Sequence, residues 1–310
     1  MGKKHLILDT DMAGDCDDAG ALALLHGLCD LGEAELLCVT NCISSEYGSG
    51  CIDAINRYYS RPVPVGNLKE KDLYNEERYS AKYNRYIVSH YENAYPTASL
   101  AADAVTLIRD TLAARSRPDV TLCCIGPLRV AARLLQACGA AFLRSHVQEL
   151  VVMGGQFAPA SLPWRQNGMP GIFPEYNIVG DVQSARFVAD HWPTPLVFCG
   201  YEIGYGVISG RGLIHPADEQ NPVSMAYQRY GTDGRDSWDP LTVYYAVRGE
   251  DGLMELSPPG RILVDEDGMT DFTQEEAGLH RFLVANASKP VLALAVDKLL
   301  QPAAETPVKR

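Results

Sequence analysis

The chain has 310 residues, of which 46% are hydrophobic and 21% charged, a balance that buries a full core in one large domain or two small ones. A formal net charge of −12 excludes a nucleic-acid backbone or an anionic membrane surface as partner. Nine cysteines, an odd number without a CxxC pair and several within apolar runs, read as reduced thiols of a cytoplasmic protein.

The first apolar run, residues 6–8, reads as a buried strand, too short for a signal peptide because Asp9 ends it. It empties into a turn with five carboxylates, Asp9, Asp11, Asp15, Asp17 and Asp18, and a helix follows over 19–28. One capping carboxylate serves a helix start. Five in ten residues repel one another unless a cation sits among them, and hard oxygen donors suit Ca²⁺ or Mg²⁺.

Residues 34–40 read as a second strand, 51–59 as a helix and 62–66 as a third strand or extended segment. Such alternation favours a parallel sheet with right-handed crossovers. Residues 69–96 break the rhythm: charged and rich in tyrosine, they read as an insertion or flap with a helix over 77–91. Alternation resumes with a helix over 98–114, a strand over 120–125, a helix over 129–138 and a strand over 149–153. A Pro- and Gly-containing loop, 156–174, precedes a helix at 182–191 and a strand at 195–199. Further on, 231–240 reads as a loop before a helix at 241–247. Residues 260–264 and 268–272 flank an Asp-Gly turn as a β-hairpin, and an amphipathic helix spans 289–300. No repeat or linker divides the chain, so residues 1–310 form one α/β domain, a mostly parallel open sheet flanked by helices with a small C-terminal hairpin and helix.

Three families share parts of the opening turn. An apolar run followed by Asp-x-Asp is similar to the haloacid dehalogenase phosphatases, which want Thr or Val where this chain has Ala13. EF-hand spacing fails at the same residue. Asp9-Thr-Asp-x(3)-Asp-x-Asp-Asp-Ala19 resembles the inosine–uridine-preferring nucleoside hydrolases, and four further segments carry that resemblance in order: Ile125-Gly-Pro-Leu128, Val152-Met-Gly-Gly155, Pro174-Glu-Tyr-Asn177 with Asp181, and Ser237-Trp-Asp-Pro240. The acidic net charge does not oppose a nucleoside, which carries no phosphate.

The resemblance implies a nucleoside hydrolase-like, Rossmann-like fold and a Ca²⁺-dependent N-ribohydrolase releasing free base and ribose. It implies that Asp11 is general base and metal ligand. Asp18, Asp239 and the Ile125 carbonyl would complete the metal shell. Asp17, Glu175, Asn177 and Asn167 would hold the sugar. Carboxylates around the ribose suit a reaction that builds oxocarbenium-like positive charge. The resemblance also implies a homodimer or homotetramer.

The chain departs from the family in three places. Its second strand ends in Asn41-Cys-Ile-Ser-Ser45 without a clean match, and Arg129-Val130 stand where the family has Thr-Asn. Trp238 replaces the histidine proposed to protonate the leaving base, as in the purine-specific branch; it can stack on a purine but cannot serve as an acid. The missing histidine and unmatched loop motivate a second reading, a ribose- or nucleoside-binding pseudo-enzyme that keeps the metal cage. Asp15 reads as structural support, and Glu202 as a site residue or a helix cap.

Overall fold

The computed structural model describes residues 2–71, 82–158 and 173–300. Its centre is β1 (Lys4–Thr10), whose Leu6, Ile7 and Leu8 are fully excluded from solvent. Such continuous burial marks a strand covered on both faces. Burying each of these side chains contributes about 2 kcal/mol. Neighbouring β2 (Ala34–Asn41) and β5 (Val120–Cys124) both pair with β1 in parallel. The large sheet runs β12-β11-β13-β7-β6-β5-β1-β2-β3-β4, with β10 (Met254–Leu256) added at β13. Here β3 is Val65–Asn67, β4 Ala102–Asp103, β6 Val147–Met153, β7 Leu196–Cys199, β11 Gly260–Val264, β12 Thr270–Gln274 and β13 His280–Ala285, while β8 (Ile208–Ser209) and β9 (Arg235–Asp236) pair separately. The chain winds outward from β1 to β4, then returns beside β1 as β5 and winds the other way. That reversal makes the carboxyl end of β1 a topological switch point, where open α/β sheets hold their ligands.

Helix α1 (Asp17–Asp30) is buried almost all round. Gly27 explains how the terminal helix, Lys289–Leu300, reaches it: a Cβ there would lie 2.6 Å from the Leu299 carbonyl oxygen. The expected alternation of strands and helices, the hairpin and the last helix are all present. The hairpin pairs β11 (Gly260–Val264) with β12 (Thr270–Gln274) in antiparallel register, its turn closed by backbone N–H groups of Asp267 and Met269 donating to Asp265 Oδ1.

The largest differences from the sequence reading are these. The helix expected from residue 98 begins at Ala104, because Asp103 caps it by accepting from the Thr106 N–H at 2.8 Å. The helix expected over 129–138 extends as Arg129–His146 across Gly139, whose φ of +77° lets a second helical run start. Strand β13 (His280–Ala285), parallel to β7, has no counterpart in the sequence reading. Finally, Trp238 and Asp239, expected in a loop, open the helix Trp238–Arg248. Of the expected 77–91 helix, the described part is Asn84–His90; residues 72–81, and Asn167, lie outside the described residues.

Candidate active site

The strand ends converge on a cavity of about 410 Å³. The opening turn supplies Asp11, Asp15, Asp17 and Asp18. Ile125 and Met153 enter from β5 and β6, Glu175 and Asn177 from the following loop and helix, and Trp238 and Asp239 from the helix they start. The structure therefore gathers every described site residue expected from sequence around one space. It does not gather Asn41, whose side chain turns to Asn67 Oδ1 (3.1 Å) and the Ile43 carbonyl (3.3 Å). Ser45 caps the next helix instead, accepting from the Gly48 N–H.

The turn holds its shape through bonds that use up some carboxylates. Thr40 Oγ1 donates to Asp9 Oδ1 at 2.5 Å, and Asp9, fully buried, is pushed up to about 8 by desolvation. Asp9 does not line the cavity; it ties β1 to β2. Thr10 donates its hydroxyl to Asp18 Oδ1. From across the chain, Asn84 Nδ2 donates to the Met12 carbonyl at 2.6 Å and the Tyr83 hydroxyl to the Asp15 carbonyl at 2.5 Å. The Tyr-rich insertion thus clamps the turn at its carboxyl end, with Tyr83 fully buried. Gly126 is needed beside it, because a Cβ would stand 2.8 Å from Asp11 Oδ1 and 2.7 Å from Cys42 Sγ.

Three buried carboxylates, Asp17, Asp18 and Asp239, each bring one oxygen within 4.8 Å of the others. At that spacing two unit charges repel by roughly 3 kcal/mol for an effective dielectric near 20. Desolvation raises all three well above the ordinary carboxylate range, and mutual repulsion adds to it: Asp17 and Asp18 act on Asp239, and Asp11 on Asp18. Asp11, expected from sequence as a metal ligand, is not one of these three; it lines the same cavity and is raised first by burial and further by Asp15 and Glu175. A divalent cation would relieve both the burial and the repulsion, and an all-oxygen donor set suits a hard ion. Asp17 sits closer to this group than a sugar-only role requires: its Oδ2 also accepts from the Asp239 N–H at 3.2 Å.

Glu175 is a buried acceptor. Its Oε1 takes the Asn177 N–H (2.9 Å), while Oε2 takes those of Gly155 and Ile178 (3.2 Å each). Desolvation still outweighs these bonds and pushes it up to about 7. Asn177 Nδ2 donates to the Met153 carbonyl at 3.2 Å and, more weakly, to the Ile125 carbonyl at 3.4 Å.

Part of the lining is aromatic. Trp238 Nε1 donates to the Tyr201 carbonyl at 2.9 Å, and the two rings lie 5.1 Å apart. The Arg235 guanidinium stands 4.9 Å from the Trp238 ring and 5.4 Å from that of Tyr230. Arg235 also binds Asp15, whose supporting role is thereby an ion pair. Glu202 lies outside the cavity lining and accepts the Phe157 and Ala158 N–H groups at 3.0 Å, fixing the loop after Gly155. Sequence reasoning missed Lys82, Tyr201, Tyr230 and Arg235. Arg235 lies three residues before Trp238, Tyr201 beside Glu202 and Lys82 within the Tyr-rich insertion, so three of them sat near a flagged stretch.

A carboxylate-floored, aromatic-walled cleft at the carboxyl edge of a doubly wound sheet is an enzyme site of the α/β class. The profile of the family described as inosine-uridine preferring nucleoside hydrolase matches residues 6–290, and the chain belongs to that family, whose members are N-ribohydrolases acting on N-glycosyl compounds. The fold is similar to an inosine-uridine preferring nucleoside hydrolase from Bacillus anthracis (16% identity, TM-score 0.72, 97% of this chain and 100% of that one). It is similar also to a purine-preferring ribonucleoside hydrolase from Gardnerella vaginalis (20% identity, TM-score 0.73, 97% and 100%). A third likeness is to the type III effector protein XopQ, solved with adenosine diphosphate ribose (17% identity, TM-score 0.65, 97% and 93%). No curated protein matches the sequence.

Proposed function

We propose that the cavity hydrolyses the N-glycosidic bond of a nucleoside, purine nucleosides being favoured, to free base and ribose. The observation that carries this reading is the joint placement of a buried carboxylate group and an aromatic wall on one cavity of about 410 Å³. Asp18 and Asp239, grouped with Asp17, would hold Ca²⁺, together with Asp11 and the Ile125 carbonyl, which line the same cavity. Bound there, the ion lowers the pKa of water and fixes its position. Asp11, which lines the cavity beside the other carboxylates, accepts the proton of the attacking water. Glu175 and Asn177 orient the ribose hydroxyls, and the surrounding negative charge favours the oxocarbenium-like transition state. Trp238, held by its bond to Tyr201, offers a ring to the base.

The same reading includes a cytoplasmic homo-oligomer, dimeric or tetrameric. Nine free cysteines support a reducing compartment, and exposed Leu279, Val284, Val291 and Leu294 support assembly. Among the described residues, no helix is long and apolar enough to cross a membrane.

The test is release of reducing sugar from a panel of nucleosides, with and without chelator. Turnover lost on chelation and lost in Asp11→Asn supports the proposal; no turnover of any ribosyl compound overturns it. One observation favours a second reading, a binding protein without turnover: Asn41, at the end of β2, is engaged with Asn67 and does not line the cavity. Calorimetric binding of Ca²⁺ and ribose with no product would select it.

A further inference from the structure

Trp238 leaves the reaction without an obvious donor for the departing base. Histidine is absent from the cavity lining among the described residues. Glu175 accepts three backbone N–H groups through its two oxygens, so it is committed as an acceptor. The phenols of Tyr201 and Tyr230 are raised above their ordinary value by burial, which makes them weaker acids. Among the described residues two cations line the cavity, Lys82 and Arg235. Arg235 is spent: Nε and Nη2 donate to both oxygens of Asp15, and Nη1 lies 3.6 Å from Asp236. A guanidinium also does not release its proton in proteins.

Lys82 is placed differently. Its Nζ lies 4.0 Å from the centre of the Tyr230 ring, the same ring that Arg235 faces at 5.4 Å beside Trp238. Among the described residues no carboxylate forms an ion pair with it. Its backbone is fixed where it matters, because the next two residues, Tyr83 and Asn84, bond the carbonyls of Asp15 and Met12 in the catalytic turn. Lys82 therefore brings to the cavity, beside the Tyr230 ring, an ammonium group that no carboxylate among the described residues pairs with.

We propose that Lys82 is the proton donor to the leaving base, a role that rests on the ribohydrolase reading. As the C1′–N bond breaks, its electron pair passes to the base nitrogen. The Lys82 ammonium gives a proton to an acceptor atom of the base. The water oxygen bonds C1′ while Asp11 takes the water's proton. Solvent then reprotonates the amine and removes the proton from Asp11, so the sum is one water consumed per bond cleaved.

The experiment compares a purine nucleoside with p-nitrophenyl β-D-ribofuranoside, whose leaving group departs without protonation. Lys82→Met should lower kcat on the nucleoside by about 100-fold or more and on the nitrophenyl riboside by less than about threefold. Retained turnover of the latter also shows that the variant is folded. Lys82→Arg, which keeps charge but gives up no proton, should not restore nucleoside turnover. Equal losses on both substrates, or full rescue by arginine, overturns the proposal. A loss confined to nucleoside 5′-phosphates would identify a phosphate contact and overturn it equally. Failure of the unaltered protein on both substrates would instead defeat the ribohydrolase reading.

Discussion

Arg235 grips Asp15 across 220 positions of chain, its Nε donating to both carboxylate oxygens at 2.9 and 2.8 Å. The pair joins the two halves of the cavity, since Asp15 belongs to the carboxylate turn and Arg235 leans on Trp238 of the aromatic wall. Asp15 thereby neutralises the cation that would otherwise compete for an anion, and Arg235 offsets one of the five crowded charges.

Breaking this pair should therefore cost more than a surface ion pair does. Both side chains are about a quarter exposed (26% each), so solvent screens part of the effect. Arg235→Gln should destabilise the protein by about 1–2 kcal/mol, and adding Asp15→Asn should recover part of the loss, because the stranded charge disappears. Urea unfolding of the two single variants and the double variant gives the coupling. Strict additivity would mean that the two residues do not interact.

The carboxylate group makes a paired prediction about metal. Ca²⁺ at 100 times its Kd should raise stability by about 2.7 kcal/mol, and chelation should remove the gain. Asp18→Asn or Asp239→Asn should abolish the Ca²⁺ response while leaving the metal-free protein as stable as before or more so, since one repelling charge is gone. Thermal melts with and without chelator decide it. A metal-free variant that melts well below the metal-free parent would show that these carboxylates stabilise the fold by themselves.

Trp238 should discriminate between bases. Stacking of an aromatic ring on a base is worth about 1–3 kcal/mol. Trp238→Ala should accordingly lower kcat/KM roughly 5- to 100-fold on purine nucleosides and less on pyrimidine ones. An equal loss on both classes would reduce Trp238 to the packing that its Tyr201 contact also provides.

A buried histidine far from the reaction sets part of the acid sensitivity. His26 Nε2 bonds Asn56 Oδ1 at 2.9 Å, and Arg61 Nη1 donates to Nδ1 at 3.0 Å, an arrangement that fits only the neutral ring. Desolvation, with help from Arg61, lowers its pKa to about 4 from 6.5. The neutral form is the one that folding favours, so the associated stability is fully present above pH 6.5. It declines by about 1.4 kcal/mol per pH unit as pH falls from 6.5 towards 4, where the folded protein protonates too. His26→Gln should flatten that slope in urea titrations at pH 7, 6 and 5. Identical slopes for parent and variant would sink the idea.

Much of this protein was written in local order. Apolar residues 6–8 next to five aspartates announce a buried strand feeding a charged turn, because burial and charge density are properties of adjacent residues. The motifs at 125–128, 152–155, 174–177 and 237–240 could be matched one by one for the same reason. Caps and kinks were harder to place: Asp103 and Gly139 move helix boundaries by one backbone bond or one positive φ. Sequence alone could not bring Arg235 to Asp15, Lys82 to Tyr230, or Asp17 within bonding distance of the Asp239 backbone. Those pairs join residues up to 222 positions apart, and no periodicity encodes a contact between separate elements. The sequence determined which carboxylates, which tryptophan and which turn this protein possesses. Tertiary structure decided which carboxylates share one buried space, and which of the two cations lining it, among the described residues, is left outside the ion pairs.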